Sequence, residues 1–444
     1  MMLNESHGIK INPIEIKQLI GKMDNKHKVL ILSYYACMPG ACQAEWLDDK
    51  IDSLLKGGYE VALISAICAR RHESKNIKHW RIPSVSLIDF GDELDRIRIR
   101  GDRVPVLAYL MWPLALTMGL LLDAMQYIVT KGVGEGRWSW AFPSTLGALL
   151  LAMRFKPDTI LSTGGPASAH LAGIFVSKLI STPVVIELQD PLSGGDIGRN
   201  KQARGWLYLV EKLIVSLADK TVYVTKAAAA FAANQFQSSK VFCVYPGAKD
   251  FAIMPGQRKA DTNGKLRMIH LGSLYATRNF RSIIAAIDSL IESGKLTTNG
   301  IELINLGHVA NEISDEILLK PYVKILPPVA REEALRIAAE CEVTLLIQNS
   351  DERSKVTIPY KTYDYLNLGN GLLALLNSDE LTELLARCGH IAAPLSDIDA
   401  IARRLAILLE CSTARVQSKV VIDAVVQARE LLALPNKVIA NLAS

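Results

Sequence analysis

Apolar residues in this chain fall into short unbroken runs rather than strict alternation. Val29–Tyr34, Tyr59–Ser65, Thr159–Ser162, Pro183–Leu188, Lys220–Thr225 and Lys240–Tyr245 make one set. Arg267–Leu271, Ile301–Leu306, Tyr322–Leu326, Val343–Gln348 and Leu372–Leu376 make a second. Such runs, bounded by turn residues, predict strands of parallel sheets buried on both faces. Between them lie stretches of helical character: Ala44–Lys56 with its Gly57-Gly58 stop, Ser168–Ile180, Ala227–Phe236, a helix from Phe280, Arg331–Glu340, Tyr360–Leu368 and Ala400–Leu409. Strand–helix–strand units with right-handed crossovers give an α/β fold of two Rossmann-like parallel-sheet domains. The first spans 29–246 and the second 266–410. Gly247–Lys265, rich in Gly, Pro and charge, is the linker. Residues 1–28 read as a polar extension, and a last helical run, roughly Ala414–Leu434, ends at Pro435.

One segment breaks the pattern. Arg96, Arg98, Arg100 and Arg103 precede Val104–Leu122, nineteen residues without a charge. That length reaches the lower range for a membrane span. Pro105 and Pro113 interrupt it, however, and Asp123 ends it. Three readings stay open: a shallow contact with an anionic membrane surface, a buried helix, and a true span.

Composition narrows the class. The 444 residues (48.7 kDa) are enough for two cored domains, half of them hydrophobic and 21% charged. A net charge of +5, with no aromatic-basic ladder, points away from nucleic acid. Seven scattered cysteines without a CxxC pair read as thiols of a reducing compartment. The N-terminus lacks an apolar signal core, so a cytoplasmic location is expected. Asp397-Ile398-Asp399 resembles a metal motif, but it follows Ser396 and opens a helix, so helix capping explains it and no metal is expected.

The candidate chemistry centres on Ser354–Leu376. Pro359 suits a first helical turn, Gly369 and Gly371 stop the helix, and Leu372–Leu376 follows as a buried strand. The helix start, with its unpaired N–H groups, is a prepared anion site. Lys361 and Asp364, three apart, share a face. A cation suits phosphate oxygens and a carboxylate suits a vicinal diol, which together describe a nucleotide sugar held at both ends. An ordinary amphipathic helix with a surface ion pair accounts for the same residues.

Ile358-Pro359-Tyr360-Lys361-x-Tyr363-Asp364-Tyr365-Leu366-x-x-Gly369 resembles the donor signature of GT-B glycosyltransferases of the family 4 type, especially bacterial surface-polysaccharide enzymes. Lys156–Gly173 resembles that family's KPDxILSTxGPxSxHLAG pattern, and Gly272-x-Leu274-x-x-x-Arg278-Asn279 its phosphate turn. The resemblance implies a GT-B fold, two domains facing across a cleft, with the final helix crossing back to the first. It implies that Asp364 holds ribose hydroxyls, and that loop amides at Thr357 and Ile358, together with Gly272, Ser273, Arg278 and Lys361, serve the donor diphosphate. The Gly40 loop faces the cleft. Asp190, at a strand end, stands where relatives place an acceptor-side polar residue; helix capping suits it equally. Catalysis would rest on Asp190, Arg278 and Lys361. Two departures stand out: Ser273 replaces a frequent second Arg, and Val356 a frequent Glu.

The expected activity is therefore that of a hexosyltransferase. It would move a sugar from a nucleotide-diphosphate donor to a glycan or lipid-linked acceptor, with retention and without a metal or cofactor, at the inner face of the cytoplasmic membrane. A nucleotide-sugar epimerase of the same fold and a non-catalytic donor-binding or membrane-scaffold protein are the alternatives.

Overall fold

Lys28–Leu32 (β1, KVLIL) has no polar side chain after its first residue, and it becomes an interior strand of a seven-stranded, all-parallel sheet. The computed structural model describes residues 26–38, 42–130, 137–193, 201–247, 265–410 and 422–434. The Gly40 turn, the linker from 248 to 264, the extension before residue 26, the start of the last helical run within 411–421, and 435–444 beyond it lie outside the described residues.

The first sheet continues with β2 (Glu60–Ala66), β3 (Lys78–Ile82), β4 (Thr159–Thr163), β5 (Val184–Leu188), β6 (Lys220–Tyr223) and β7 (Val241–Cys243), in the order β3-β2-β1-β4-β5-β6-β7. Side chains alternate between two cores, as the strand period demands. Val29, Ile31, Leu63 and Val185 meet α1 (Cys42–Lys56) on one face. Leu30, Leu32, Ile64 and Ile186 meet α2 (Leu87–Ile99), α4 (Ala141–Phe155), α5 (Ala167–Ile180), α6 (Lys201–Leu217) and α7 (Lys226–Phe236) on the other. Between α2 and α4 runs α3 (Val106–Thr130), packed on α2 and on a short 3-10 turn at Trp138–Trp140.

The second sheet holds β8 (Leu266–Leu271), β9 (Ile301–Leu306), β10 (Val323–Leu326), β11 (Val343–Ile347), β12 (Gly371–Leu376) and β13 (Ile391–Pro394), in the order β10-β9-β8-β11-β12-β13, again all parallel. It is covered by α8 (Arg281–Glu292), α9 (Asn311–Leu318) and α13 (Ile398–Glu410) on one face. On the other lie α10 (Arg331–Ala339), α11 (Lys361–Leu368) and α12 (Asp379–Arg387). The last helix, α14 (Ala424–Leu432), packs on α1 in the first domain, and Lys220 Nζ binds the Glu430 and Ala433 carbonyls at its end. Strand order reverses between β1 and β4, and between β8 and β11. Crevices at such switch points, beyond the strand carboxyl ends, are where open α/β sheets bind ligands.

Val104–Leu122 differs from expectation. Pro113 does not interrupt it, and Asp123 does not end it: one helix runs to Thr130. The Asp123 carboxylate instead accepts the Leu87 and Ile88 amides at the start of α2, a use that keeps it compatible with the helix it sits in. Val106, Leu110 and Leu120 are 75%, 70% and 68% exposed, so the helix is not buried. Among the described residues no helix is long and apolar enough to cross a membrane. Helices α2, α4, α6, α9 and α12 escape the sequence reading, as do the edge strands β3 and β13, whose KHWRI and IAAP are too short or too polar to stand out as apolar runs. Asp397 accepts the Ala400 amide at 2.8 Å, as capping requires.

The ends of β8 and β9 interlock. Gly272 (φ +112°) and Gly307 (φ +149°) lie so close that a Cβ on Gly307 would stand 2.4 Å from the Gly272 oxygen. Gly307→Ala should therefore cost about 1–3 kcal/mol, read as a lowered urea midpoint of the second domain. An unchanged midpoint would mean that this loop relaxes freely.

Candidate functional site

At the carboxyl end of β8 the backbone turns through Gly272 and then closes a tight loop, in which the Tyr275 and Arg278 backbones exchange two 2.8 Å hydrogen bonds. Facing that turn is the first residue of α11. Lys361 Nζ donates to the Leu271 carbonyl and lies 3.2 Å from His270 Nε2; a Cβ on Gly272 would come within 3.2 Å of it. Glycine is needed here both for its φ and for the lysine.

A buried polar relay holds this cation. Asn305 Nδ2 donates to the Gly307 carbonyl (3.1 Å), which leaves its Oδ1 to accept from His270 Nδ1 (2.8 Å). His270 Nε2 is then the acceptor that faces Lys361. Burial, reinforced by the Lys361 charge, pushes His270 well below its usual value and keeps the ring neutral. Burial and the nearby Arg278 push Lys361 well below the ordinary 10.5. Arg278 lies with its guanidinium 5.3 Å from the Tyr275 ring centre, and its Nε is buried without a protein partner. His270 and Asn305 belong to none of the motifs legible in the sequence. They are register partners on β8 and β9, polar positions in otherwise apolar strands, and that is the signal by which they could be found.

The loop before α11 is stapled from below. Gln348, just past β11, donates to the Ser354 and Thr357 carbonyls (3.0 and 3.1 Å) and accepts the Asn377 and Ser378 amides. The Ile358 side chain is core, so only its backbone is available to a ligand. Ser273 is exposed beside Gly272.

Asp364 lies one turn beyond Lys361, buried, and binds Arg331 through both oxygens (2.6 and 3.3 Å). Arg331 also donates to Asp49 of the first domain (2.8 Å), and the Tyr360 hydroxyl binds that same Asp49 oxygen. This ionic junction closes one side of the interdomain cleft. Beside it opens a cavity of about 460 Å³, reached by Met38, Asp48, Arg70, His72 and Arg331 from both domains. On the opposing sheet, Glu187 is buried at the end of β5 and bonded to Lys50 and Thr163. Asp190 lies three residues further on and is exposed. His170 is a buried packing residue on Ser162 (2.9 Å). Lys361, Arg278, Gly272 and Asp364 thus come together in the second domain, and Asp190 belongs to the facing one. Among the described residues no group of His, Cys, Asp and Glu is arranged to hold a metal.

No protein-family model and no curated protein matches this chain. Solved structures resemble it in fold. Sucrose-phosphate synthase from Thermosynechococcus elongatus aligns with a TM-score of 0.59 at 11% identity, covering 94% of this chain and 97% of that one. HepE from Anabaena, in complex with UDP and glucose, gives 0.56 at 13% identity over 94% and 99% of the two chains. A UDP-forming α,α-trehalose-phosphate synthase from Burkholderia vietnamiensis gives 0.55 at 11% identity over 94% and 100%. With the two facing parallel sheets, this likeness establishes the GT-B fold.

The buried position pushes the Asp364 carboxyl from 3.8 up to about 6, with Arg331 opposing the shift. A carboxyl that binds its proton more tightly when folded contributes stability at low pH, and loses it as pH rises through about 6. Asp364→Asn should accordingly gain on wild type between about pH 4 and 7, by on the order of 2–3 kcal/mol at most. Urea unfolding of both proteins across that range measures the difference; a pH-independent difference would mean that Asp364 titrates normally.

Proposed function

We propose that this chain is a glycosyltransferase of the family 4 type, taking its sugar from a nucleotide-diphosphate donor. The observation that carries this reading is the meeting of Lys361 and Arg278 at the Gly272 turn, at a switch point, with no carboxylate among the described residues bonded to either nitrogen group. Two cations without bonded carboxylates at a strand-end turn are a place for a diphosphate. As the bond to the sugar breaks, negative charge grows on the departing phosphate. Groups fixed in advance stabilise it without reorganising, and a metal is not required for that. Asp364 serves the ribose hydroxyls, sharing its oxygens with Arg331 or exchanging that partner. Thr357 and Ile358 contribute backbone from the stapled loop, and Ser273 borders the phosphates.

Asp190, across the cleft, acts on the acceptor side. The acceptor is a glycan or lipid-linked glycan of bacterial surface-polysaccharide synthesis; the family resemblance implies transfer with retention, by front-face attack, since no side chain among the described residues stands as an evident nucleophile. That the HepE structure holds UDP and glucose supports the donor class by analogy of fold. Mass spectrometry of products from a panel of nucleotide sugars tests the reading. A transferred sugar supports it. An isomerised donor would instead make the chain an epimerase, and tight binding without turnover would make it a non-catalytic scaffold.

Lys361→Ala and Arg278→Ala should each weaken nucleoside-diphosphate binding by about 1.5–3 kcal/mol, the worth of a charge-assisted hydrogen bond. Calorimetry that finds both variants unchanged refutes the phosphate site. Binding should also take up protons, because a diphosphate restores the depressed Lys361 toward its ordinary value; affinity then falls as pH rises toward 10.5. Proton uptake, read from calorimetry in buffers of different ionisation enthalpy, should disappear in Lys361→Ala. Asp190→Asn should lower kcat and leave donor affinity intact; a variant with full turnover removes Asp190 from the reaction.

A further inference from the structure

Helices α4, α5 and α6 lie side by side in one layer over the first sheet, their inner faces packed into a shared core. The outer faces should be polar, and they are not. Phe142, Leu146, Leu150 and Met153 form an exposed stripe along α4, Phe175 and Leu179 along α5, and Leu209, Leu213 and Leu217 along α6, with exposures from 37% to 74%. The exposed Leu110, Leu120, Met125 and Ile128 of α3 extend the apolar surface. Large contiguous apolar patches of this kind are uncommon on soluble monomers and mark a surface that meets something.

The charges indicate what it meets. Among the described residues, Arg154, Lys178, Lys201, Arg204 and Lys212 are the exposed charged residues of α3 to α6, and all are cationic. The two acids of these helices turn inward: Asp123 caps α2, and Glu211 is buried against Ser193 and the Tyr223 hydroxyl. A two-fold pairing of identical copies would set cations against cations, which disfavours a second copy. An apolar surface interleaved with cations alone is complementary to an anionic bilayer. Between α3, the Trp138 turn and α4 lies a cavity of about 430 Å³, walled by Val85, Met118, Leu122, Met125, Trp138 and Phe142. Its lining is mostly aliphatic and aromatic, with Gln126, Thr130 and Ser139 as the polar members, which suits a hydrocarbon chain.

We propose that the outer face of α3 to α6 docks flat on an anionic lipid bilayer and that the cavity between α3 and α4 takes one aliphatic chain of a bilayer lipid. This widens membrane contact from one helix to a whole domain face. It bears on the acceptor of the transfer reaction and not on donor binding, so the two readings fail separately.

The full chain is mixed at low salt with vesicles of phosphatidylcholine, with or without one-third phosphatidylglycerol. The protein should float with the anionic vesicles and much less with the neutral ones. Phe142→Ser/Leu146→Ser/Leu150→Ser should lose flotation while still binding nucleoside diphosphate. Should that variant misfold, Lys178→Glu/Arg204→Glu/Lys212→Glu carries the test, with an expected loss of partition of roughly tenfold or more. Phosphatidylcholine brominated along its acyl chains, added to the anionic vesicles, should quench a component of tryptophan fluorescence that Trp138→Phe removes. Failure of wild type to float, flotation unaffected by both triple variants, or a dimer in solution that the serine variant dissociates would overturn the docking face. Flotation without the Trp138 quenching would overturn the lipid-chain cavity.

Discussion

Holding the half-buried Lys361 amine at the end of β8, away from any bonded carboxylate, is the constraint on which the second domain's site depends. A charge so placed is costly unless its hydrogens are taken. Here the Leu271 carbonyl and His270 Nε2 take two of them. His270 can accept only because Asn305 holds its other nitrogen, and Asn305 is itself oriented by the Gly307 carbonyl. Tyr365, one turn along α11, takes the Leu271 amide at 3.0 Å and fixes the same strand end from its other polar group. The glycines, the two polar strand residues and the helix start are thus one assembly. Changing any of them moves the cation.

The same helix reaches the other domain. Tyr360 and Asp364 flank Lys361, and both take part in the Asp49–Arg331 junction. A second tie is made by Glu380, whose carboxylate caps the first amides of α7 (2.7 and 2.8 Å) and accepts the Tyr245 hydroxyl. A third runs from Thr225 to the Val356 carbonyl in the loop ahead of α11 (2.7 Å). All three originate within or beside the donor-side loop and helices. Any displacement of that loop is therefore coupled mechanically to the angle of the cleft, through hydrogen bonds whose partners lie 131 to 311 residues apart.

The two sides of the first domain differ in character. The strand carboxyl ends present Asp190 above a buried Lys50–Glu187–Thr163 group. The helical layer beneath presents hydrocarbon and cations outward. The composition foreshadowed this only as an apolar lean, since the nine exposed side chains of α4 to α6 are drawn from helices whose other residues build an ordinary core.

Much of the fold was legible in the chain because parallel strands buried on both faces must be apolar throughout, and those runs mark themselves. Ile301–Leu306 is read to the residue, and β1, β2, β4, β5, β8 and β12 fall within two residues of the runs that announced them. Edge strands β3 and β13, buried less completely, do not mark themselves. The grouping of Lys361 with Asp364 followed from helical spacing, and that of Gly272 with Arg278 from the resemblance to a family phosphate turn. What spacing cannot show is who occupies a side chain. That Asp364 is held by Arg331, that Arg331 reaches Asp49 across the cleft, and that His270 and Asn305 seat Lys361 depend on residues 33 to 282 positions apart. Local pattern carries periodicity and propensity, which act within a few residues. Partnership, burial and shifted proton affinity arise only when the sheets close and bring distant strand ends to one place.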